Sequence, residues 1–233
     1  MPESLDEACS LLGQHGREAC ILAGGTEILI GLKRGERANR YVVDIGRIAE
    51  MAGIRDEGSH VFVGATTTNT MVAESEIICR EASLLSEAAF SVGSVQVRNS
   101  GTIGGNIANG SPAADTLPAL IALNAEALVV SCVGERWIPV RDLLVGPYRT
   151  SLASHELLVG VRFAKLPAGS GASFRKLGRR RALSISRMTV AAVLVLDGNG
   201  LIQEARICPG AVMPVPSRMA KAEEGLVELC PGP

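Results

Sequence analysis

Two pairs of adjacent glycines, each placed after a short apolar run, constrain this chain more than any other feature. The first pair lies in residues 21–28 (ILAGGTEI) and the second in residues 102–108 (TIGGNIA). Adjacent glycines let the backbone turn tightly and bring N–H groups close to an anion, with no Cβ in the way. Two such loops predict a ligand with two phosphates held from both sides by main-chain donors. They therefore favour a dinucleotide over a nucleoside triphosphate.

Two familiar phosphate-binding motifs do not fit these loops. A P-loop requires G-x-x-x-x-G-K-[ST], and the sequence contains no Gly-Lys-Ser or Gly-Lys-Thr. The Rossmann fingerprint requires G-x-G-x-x-G between a strand and a helix, whereas both pairs here are adjacent glycines. A single pair among 26 glycines would more often be an ordinary turn, because conformational freedom explains most glycines in turns.

Length and composition are those of an ordinary globular protein. The 233 residues can bury one large core or two modest ones, and the 47% hydrophobic and 20% charged content excludes a disordered chain. A net charge of −1 gives no electrostatic reason to expect nucleic acid or an anionic membrane as a partner. No apolar run reaches the length of about 18 residues expected of a membrane span. The acidic N-terminus lacks the features of a signal peptide, so we expect a cytoplasmic protein.

The cysteines and histidines show no pattern typical of a metal site or a catalytic triad. None of the cysteines forms C-x-x-C, and no histidine lies at a zinc-like spacing from them. We therefore predict reduced, mostly buried thiols and no metal site. The residues concerned are Cys9, Cys20, Cys79, Cys132, Cys208 and Cys230, with His15, His60 and His155.

Apolar spacing and turn signals predict an α+β chain. A capping box of Ser4 and Glu7 predicts a helix over residues 5–14, and Ser111 as N-cap with Pro112 in the first turn predicts another over 111–123. Two strands around the turn at 197–200 (DGNG) predict a β-hairpin. The small residues of 167–172 suggest a domain boundary. Further helices are predicted after residues 66–68 and over 83–90, and strands over 19–23, 40–45, 60–65, 127–133, 157–163, 191–196 and 201–207.

Longer stretches around the glycine pairs resemble the flavoprotein subunit of the molybdenum hydroxylases, the family of xanthine dehydrogenase, carbon monoxide dehydrogenase and 4-hydroxybenzoyl-CoA reductase. Residues 23–26 (AGGT) resemble its first FAD loop, residues 102–107 (TIGGNI) its second, and residues 111–115 (SPAAD) the segment that follows. The similarity runs from about residue 5 to about residue 220. It also includes the segments 146–149 (GPYR), 155–158 (HELL) and 173–176 (SFRK).

The resemblance implies a particular domain organisation. Residues 1–168 would form an FAD-binding domain of two subdomains, of the vanillyl-alcohol-oxidase (PCMH) type. Residues 169–233 would form a smaller α+β C-terminal domain like that of carbon monoxide dehydrogenase flavoproteins. Family members usually continue well past the position of Glu228, so we expect a C-terminal domain shortened either naturally or by truncation.

The resemblance also assigns residues to the cofactor site. The first loop would hold the FAD pyrophosphate from one side through Leu22, Ala23, Gly24, Gly25, Thr26, Glu27 and Ile28. Thr102, Gly104 and Gly105 would hold it from the other side, with the Thr102 hydroxyl donating a bond. Asn106 would bond either the ligand or its own turn, and Ser111 would begin the helix that follows.

Three further residues and one basic run each have a ligand role and a plain structural alternative. Asp115 would accept bonds from ribityl hydroxyls, or only stabilise a helix start. Lys176 would lie beside the flavin ring, or be a solvated surface lysine. Leu158 would shield one face of the ring, or belong to a strand core. The run Arg179, Arg180 and Arg181 would be a solvated face, or meet phosphates of a dinucleotide.

The function implied by the resemblance is that of an FAD-carrying electron-transfer subunit of a multi-subunit molybdenum hydroxylase. Electrons would come from [2Fe–2S] clusters on a small subunit, after substrate oxidation on a molybdopterin-binding large subunit, and pass to NAD⁺ or another acceptor. The chain has no cysteine-rich insertion, so the iron–sulfur ligands would lie on another subunit. The alternatives are a non-catalytic structural or assembly remnant of the family, or a free-standing flavin oxidase.

Overall fold

Helices and strands alternate along the chain, which the computed structural model describes over residues 1–36, 38–180 and 183–231. The helices are α1 (Leu5–His15), α2 (Ile28–Lys33), α3 (Asn69–Glu74), α4 (Glu76–Glu81), α5 (Ser83–Phe90), α6 (Val95–Ser100), α7 (Ile103–Asn109), α8 (Thr116–Ala122), α9 (Val140–Leu143) and α10 (Ala220–Glu224). The strands are β1 (Ala19–Leu22), β2 (Tyr41–Asp44), β3 (Ile54–Asp56), β4 (His60–Gly64), β5 (Glu126–Ser131), β6 (Gly134–Pro139), β7 (Leu144–Gly146), β8 (Arg149–Thr150), β9 (Leu157–Ala164), β10 (Gly171–Gly178), β11 (Ser186–Leu196) and β12 (Ile202–Gly210).

The N-terminal part pairs α1 with a small parallel sheet. The Ser4 hydroxyl accepts from the Glu7 amide at 3.2 Å, and the Glu7 carboxylate accepts from the Glu3 amide at 3.0 Å, so the predicted helix start is confirmed. Strand β1 runs parallel to β2, with Leu22 opposite Asp44. The first glycine pair therefore begins where β1 leaves its partner strand.

A five-stranded sheet forms the wall behind the second glycine pair. Its strand order is β3-β4-β9-β5-β6 and its neighbours are antiparallel. The face that carries Val63, Val129 and Val161 is buried, and α1 and α7 pack against this sheet. Burial of such a continuous apolar face is the main stabilising contribution in a domain of this size.

A layer of short helices connects this sheet to the C-terminal strands. Hydroxyls of Thr68, Ser75 and Ser94 each accept from the amide three residues later and so begin α3, α4 and α6. Every residue of α8 is buried. Apart from Thr116 its residues are apolar, and the helix contacts α5, β11 and β12.

Strands β10, β11 and β12 form an antiparallel sheet that packs on α5 and α8. The predicted hairpin is confirmed, because β11 pairs with β12 around the turn at residues 197–200. Glu87 of α5 accepts from the Phe174 amide at 3.0 Å and so covers part of the exposed edge of β10. Glu223 of α10 accepts from the Ile207 amide at 2.7 Å and ties the last helix to β12.

The helix predicted over residues 111–123 is wrong in its first turn. Residues 111–114 form a turn closed by a bond from the Ala114 amide to the Ser111 carbonyl at 3.0 Å, and α8 begins only at Thr116. The reason is Pro118, which has no amide hydrogen. A helix starting at Pro112 would place Pro118 in its interior, whereas a start at Thr116 places it in the first turn, where no donor is needed.

The thiols differ from expectation in their burial. Cys9, Cys20 and Cys208 are buried, but Cys79, Cys132 and Cys230 are exposed, and none of the described residues forms a disulfide. Half of the thiols, rather than most, are therefore inside. Within the described ranges, no helix combines the length and apolar character that crossing a membrane requires.

Candidate cofactor site

A cleft of about 760 Å³ lies between β1, the start of α7, the β7–β8 turn and the sheet of β10 and β11. Leu22 lies off its wall, with a side chain directed toward the position of Gly25. The other residues that the sequence assigned to a cofactor all line it: Ala23, Gly24, Gly25, Thr26, Glu27, Ile28, Thr102, Gly104, Gly105, Asn106, Ser111, Asp115, Leu158 and Lys176. Segments far apart in the chain therefore meet around one space.

The first glycine pair offers a run of unused main-chain donors to this cleft. Five successive backbone amides, those of residues 24–28, donate to no acceptor in the described part of the chain. The next amide, that of Leu29, donates to the Gly25 carbonyl at 3.2 Å and closes the turn. Successive free amides in a turn form a concave anion site. This loop therefore has the donors that a pyrophosphate requires.

Close backbone approach explains why Gly24 is a glycine. A Cβ there would lie 1.8 Å from the Ser100 carbonyl oxygen, a distance that no side chain can occupy. Gly25 follows with φ of +73°, a conformation that other residues rarely adopt. The pair therefore lets the loop turn while it contacts the segment just before α7.

The second glycine pair has a different role from the one predicted. It forms the first turn of α7 rather than an open loop, and its amides are already used. Gly104 donates to the Ala65 carbonyl at 2.9 Å, and Gly105 donates to the Thr102 hydroxyl oxygen at 3.1 Å. The expectation of main-chain donors on both sides of the ligand is therefore wrong for this turn, although Thr102 keeps a hydroxyl hydrogen to donate.

Asn106 connects α7 to α8. Its Oδ1 accepts from the Thr116 hydroxyl at 2.9 Å, so the side chain is tied to the next helix rather than to a carbonyl of its own turn. The side-chain NH2 group of Asn106 has no acceptor among the described residues, and Asn106 lines the cleft. The side chain, not the backbone, is what this turn offers to a ligand.

A buried ion pair lies at the end of the cleft formed by the C-terminal sheet. Lys176 Nζ donates to Asp115 Oδ2 at 2.7 Å and to the Ser91 carbonyl at 2.9 Å, and only 17% of its side chain is exposed. The alternative of a solvated surface lysine is therefore wrong. Ser186 donates from Oγ to Asp115 Oδ1 at 2.5 Å, a contact that no motif in the sequence indicated.

Asp115 does not serve its helix as a side-chain cap. It precedes α8, but its carboxylate makes no bond to a helix amide in the described part of the chain and is directed at Lys176 and Ser186 instead. The alternative of a helix-start charge alone is therefore insufficient. Since a carboxylate has about four lone-pair positions, these two bonds leave capacity for a ligand hydroxyl.

The middle of the cleft combines an apolar wall with a strained turn. Leu158 is buried in β9 and lines the cleft, so it belongs to both the strand core and the site surface. Tyr148 lies in the β7–β8 turn with φ of +55° and an exposed ring beside Ser111. A non-glycine residue held at positive φ costs about 1–2 kcal/mol and is typical of functional turns.

Two further polar residues of the cleft wall, Asn39 and Glu156, were not assigned to the site from the sequence. Asn39 donates to the carbonyls of Arg17 and Ala19, and Glu156 accepts from Arg136 at 3.0 Å and from the Ala153 amide at 2.8 Å. Both side chains line the cleft and fix its walls. No local pattern distinguishes Asn39 from an ordinary polar loop residue, whereas Glu156 lies in the segment 155–158 that resembles the family.

The two described residues of the basic run are exposed and do not line the cleft. Arg179 is exposed, and Arg180 donates to the Leu183 carbonyl at 2.7 Å, while Arg181 lies outside the described residues. No group of histidine, cysteine, aspartate or glutamate in the described ranges has the arrangement of a metal site.

The donor set of the cleft fits a flavin dinucleotide. The free amides of the first loop suit a pyrophosphate. The ammonium of Lys176 and the carboxylate of Asp115 suit polar groups of the ligand, and Leu158 gives an apolar wall for a flat ring. Dinucleotide cofactors are usually held in such mainly apolar clefts with a few oriented polar groups.

Comparison with known proteins agrees with this chemistry. A family model described as the FAD binding domain in molybdopterin dehydrogenase matches residues 1–166. The chain is 36% identical over 217 residues to the carbon monoxide dehydrogenase medium chain of Hydrogenophaga pseudoflava, covering 93% of this chain and 75% of that protein. It is also 36% identical over 224 residues to a putative xanthine dehydrogenase FAD-binding subunit of Escherichia coli (strain K12), covering 95% of this chain and 76% of that protein.

Solved structures give the same answer. The carbon monoxide dehydrogenase from Hydrogenophaga pseudoflava that lacks the Mo-pyranopterin moiety of its molybdenum cofactor superimposes with a TM-score of 0.94 at 36% identity, covering 99% of this chain and 80% of that chain. Quinoline 2-oxidoreductase from Pseudomonas putida 86 gives a TM-score of 0.92 at 28% identity. The chain therefore belongs to the FAD-binding medium subunits of the molybdenum hydroxylase family of oxidoreductases, and its cofactor is FAD.

Proposed function

We propose that this chain is the FAD-carrying electron-transfer subunit of a multi-subunit molybdenum hydroxylase. Its partners are a molybdopterin-binding large subunit, where substrate is oxidised, and a small subunit whose [2Fe–2S] clusters deliver electrons. Bound FAD supplies the chemistry of accepting these electrons and passing them to NAD⁺ or another acceptor. The observation that carries the proposal is the run of free amides at Gly24–Ile28 in a cleft that also holds a buried lysine.

In this proposal, different residues of the chain bind different parts of FAD. The backbone amides from Gly24 to Ile28 bind the pyrophosphate. The Thr102 hydroxyl and the side-chain NH2 group of Asn106 bind it from the opposite side. Asp115 accepts from ribityl hydroxyls with its remaining lone pairs. Leu158 covers one face of the ring and Lys176 lies beside it, where a positive charge favours the reduced form.

The domain organisation belongs to the same proposal. Residues 1–168 form an FAD-binding domain of two subdomains, of the vanillyl-alcohol-oxidase (PCMH) type, and residues 169–233 form the C-terminal domain. Support comes from the sheet of β10, β11 and β12, which begins after the small residues of 167–172 and pairs only within itself among the described strands. We also place the protein in the cytoplasm, where exposed thiols such as Cys79 stay reduced.

Electron transfer is tested with the purified chain before any partner is added. We expect a flavin spectrum, slow transfer of electrons from NADH to a dye, and no oxidation of a heterocycle or an aldehyde. When the reduced iron–sulfur subunit is mixed with the chain, the visible absorbance of the flavin should decrease as FAD is reduced. Turnover of a hydroxylase substrate by the single chain, free of molybdenum, would favour a free-standing flavin oxidase instead.

Partner identity is tested by purifying the native complex through a tag on this chain. Molybdenum and iron should co-purify with it in fixed proportion to FAD. A tagged chain that carries FAD but neither metal would contradict the assignment to a hydroxylase complex. A chain that carries the metals but no FAD would instead support a structural role.

A further inference from the structure

We propose that Ser186 is a positioning residue that acts through Asp115 on Lys176 and so sets how strongly this chain favours reduced over oxidised FAD. The proposal rests on the proposed function, because it assumes FAD in the cleft. It goes further by adding a residue, from a different strand, that nothing in the sequence pattern identified.

The contact is short and buried. Ser186 is the first residue of β11, and its Oγ donates to Asp115 Oδ1 at 2.5 Å. Ser186 is 7% exposed and Asp115 is 5% exposed, so water does not compete for this bond. A hydroxyl donating to a buried carboxylate is among the stronger hydrogen bonds in proteins.

The Ser186 hydroxyl fixes the orientation of the Asp115 carboxylate. An aspartate before a helix usually accepts from the amides of the first turn, but in the described structure Asp115 makes no such bond. Among the described residues, Ser186 holds one of its oxygens and Lys176 holds the other. Removal of the Ser186 hydroxyl would leave Oδ1 without a protein donor and free the carboxylate to rotate.

The orientation of Asp115 in turn decides where the Lys176 charge lies. An ammonium group has three N–H donors, and Lys176 uses two of them on Ser91 and Asp115. The third has no acceptor among the described residues, and Lys176 lines the cleft. If the carboxylate rotates and offers both oxygens to Lys176, the ammonium is drawn toward Asp115 and its charge acts less on a ligand.

The expected consequence is a change in redox preference rather than in cofactor retention. A positive charge held close to a ligand favours the form of that ligand that carries more negative charge, and for FAD that is the reduced form. Ser186→Ala should therefore lower the midpoint potential of the bound FAD. A fivefold loss in preference for reduced over oxidised FAD corresponds to a decrease of about 20 mV, at 29.6 mV per tenfold change.

A purely structural role for Ser186 predicts a different result. Ser186 lies on the C-terminal sheet and Asp115 lies before α8, so their bond also connects these two layers. Loss of this connection alone would lower thermal stability and leave the potential of correctly folded protein unchanged. The midpoint potential therefore separates the two roles.

The experiment is a redox titration of the FAD-loaded full chain, with the dissociation constant of oxidised FAD and the melting temperature measured beside it. We expect Ser186→Ala to lower the potential with less than a threefold change in affinity for oxidised FAD. Ser186→Thr should restore the wild-type potential, because threonine keeps the hydroxyl and suits a strand. Ser173→Ala is the matched control, since Ser173 lies on β10 of the same sheet and has no side-chain bond in the described structure; its potential should equal that of wild type.

A double-mutant cycle tests whether Ser186 acts through Asp115. Asp115→Asn removes the negative charge beside Lys176 and should raise the potential, opposite in sign to Ser186→Ala. In the Asp115→Asn background, Ser186→Ala should then have no further effect. An equal effect of Ser186→Ala in both backgrounds would overturn the proposal even if the single variant folds poorly.

Two outcomes separate this proposal from the proposed function. Full FAD occupancy in Ser186→Ala with an unchanged potential would overturn the role of Ser186 and leave the electron-transfer assignment intact. Failure of the wild-type chain to bind FAD would overturn both. A potential in Ser173→Ala that shifts as much as in Ser186→Ala would also contradict a specific role.

Discussion

Single glycines in the two pairs serve close packing of the backbone as much as ligand binding. A Cβ at Gly104 would lie 2.5 Å from the Ala65 Cβ, and one at Gly24 would lie 1.8 Å from the Ser100 carbonyl oxygen. In both places the neighbour is main chain or a short side chain that cannot move aside. A substitution there changes the fold before it changes any contact with a phosphate.

We therefore expect Gly104→Ala to lower the free energy of unfolding by about 1–3 kcal/mol, the usual cost of overpacking a tight site. Loss of FAD in this variant should follow the loss of folded protein. The matched control is Gly146→Ala, because a Cβ at Gly146 meets nothing within 4 Å. Urea denaturation of both apo variants measures the difference. A Gly104→Ala variant as stable as wild type that nevertheless loses FAD would show that the glycine serves the ligand alone.

Lys176 and Asp115 should behave as one unit and not as two independent ligand groups. Asp115 is buried, Lys176 has only 17% of its side chain exposed, and each is the other's charge partner, so removal of one leaves an unpaired charge in a mostly buried place. Lys176→Ala should therefore cost about 3–5 kcal/mol of stability, as breaking a buried pair typically does. The double variant Asp115→Ala/Lys176→Ala should cost less than the sum of the single variants, with a coupling of about 1–3 kcal/mol.

The measurement is a double-mutant cycle on the free energy of unfolding of the apo protein. The exposed pair Arg141–Asp142, whose side chains are more than half exposed, is the control, and its coupling should be below about 1 kcal/mol. Additive single effects at Lys176 and Asp115 would mean that the two side chains act on separate partners.

At the scale of elements, sequence patterns correctly predicted helices and strands whose ends depend on residues that are near in the sequence, such as N-caps and turn residues. The Ser4 cap, the helix over Ser83–Phe90 and the hairpin around residues 197–200 were all correct. Helix α7 was missed because its first amides are satisfied by Ala65 and Thr67, which lie some 35 residues away in the sequence. The start of α8 was misplaced because Pro112 signals a first turn as well as Pro118 does, and only the packed structure decides between them.

The connection of α10 to β12 should be sensitive to acid. Burial works to raise the pKa of Glu223, but bonds from Arg218 and from the Ile207 amide outweigh it and hold this pKa below its ordinary value of 4.5. A carboxyl group whose pKa is lowered by folding contributes stability above the unfolded pKa and loses it as pH falls through the folded pKa. Stability should therefore decrease below about pH 4.5 through this group.

Glu223→Gln tests this contribution. The variant should be less stable than wild type at pH 7, and the difference should shrink as pH falls from 5 to 3. The unfolding midpoint in urea, measured across that interval, gives the result. A constant difference at every pH would show that Glu223 acts through packing and not through its charge.

At the scale of the whole molecule, the cleft is assembled from segments that are distant in sequence. Resemblance to a family identified the first loop, the α7 turn, Asp115, Leu158 and Lys176, and apart from Leu22 all of these line one space. It did not assign Ser186, Asn39 or Glu156 to the site, because tertiary contacts place each of them there. Of the three, Glu156 lies in the segment 155–158 that resembles the family. It assigned main-chain donors to both glycine pairs, but those of Gly104 and Gly105 are already used within the fold, and spacing does not reveal this.

The distribution of thiols gives a test of this overall arrangement. Cys79, Cys132 and Cys230 are exposed and should react with iodoacetamide in the folded protein before any buried thiol does. Cys208 is fully buried, and burial raises its pKa to about 12, so it should react only when the protein unfolds. Cys20 lies in the wall of the cleft and should react slowly in the apo protein and more slowly still with FAD bound.

Peptide mass mapping after timed alkylation distinguishes these classes. The pKa of Cys208 also predicts a pH effect with a definite sign: folding disfavours its thiolate, so its contribution to stability is complete below the ordinary thiol pKa of 9 and is lost as pH rises toward 12. Cys208→Ala should reduce the alkaline loss of stability, at the cost of a small cavity. Rapid native alkylation of Cys208 would contradict the packing of β12 against α8, and protection of Cys79 by FAD would place the cofactor outside the cleft.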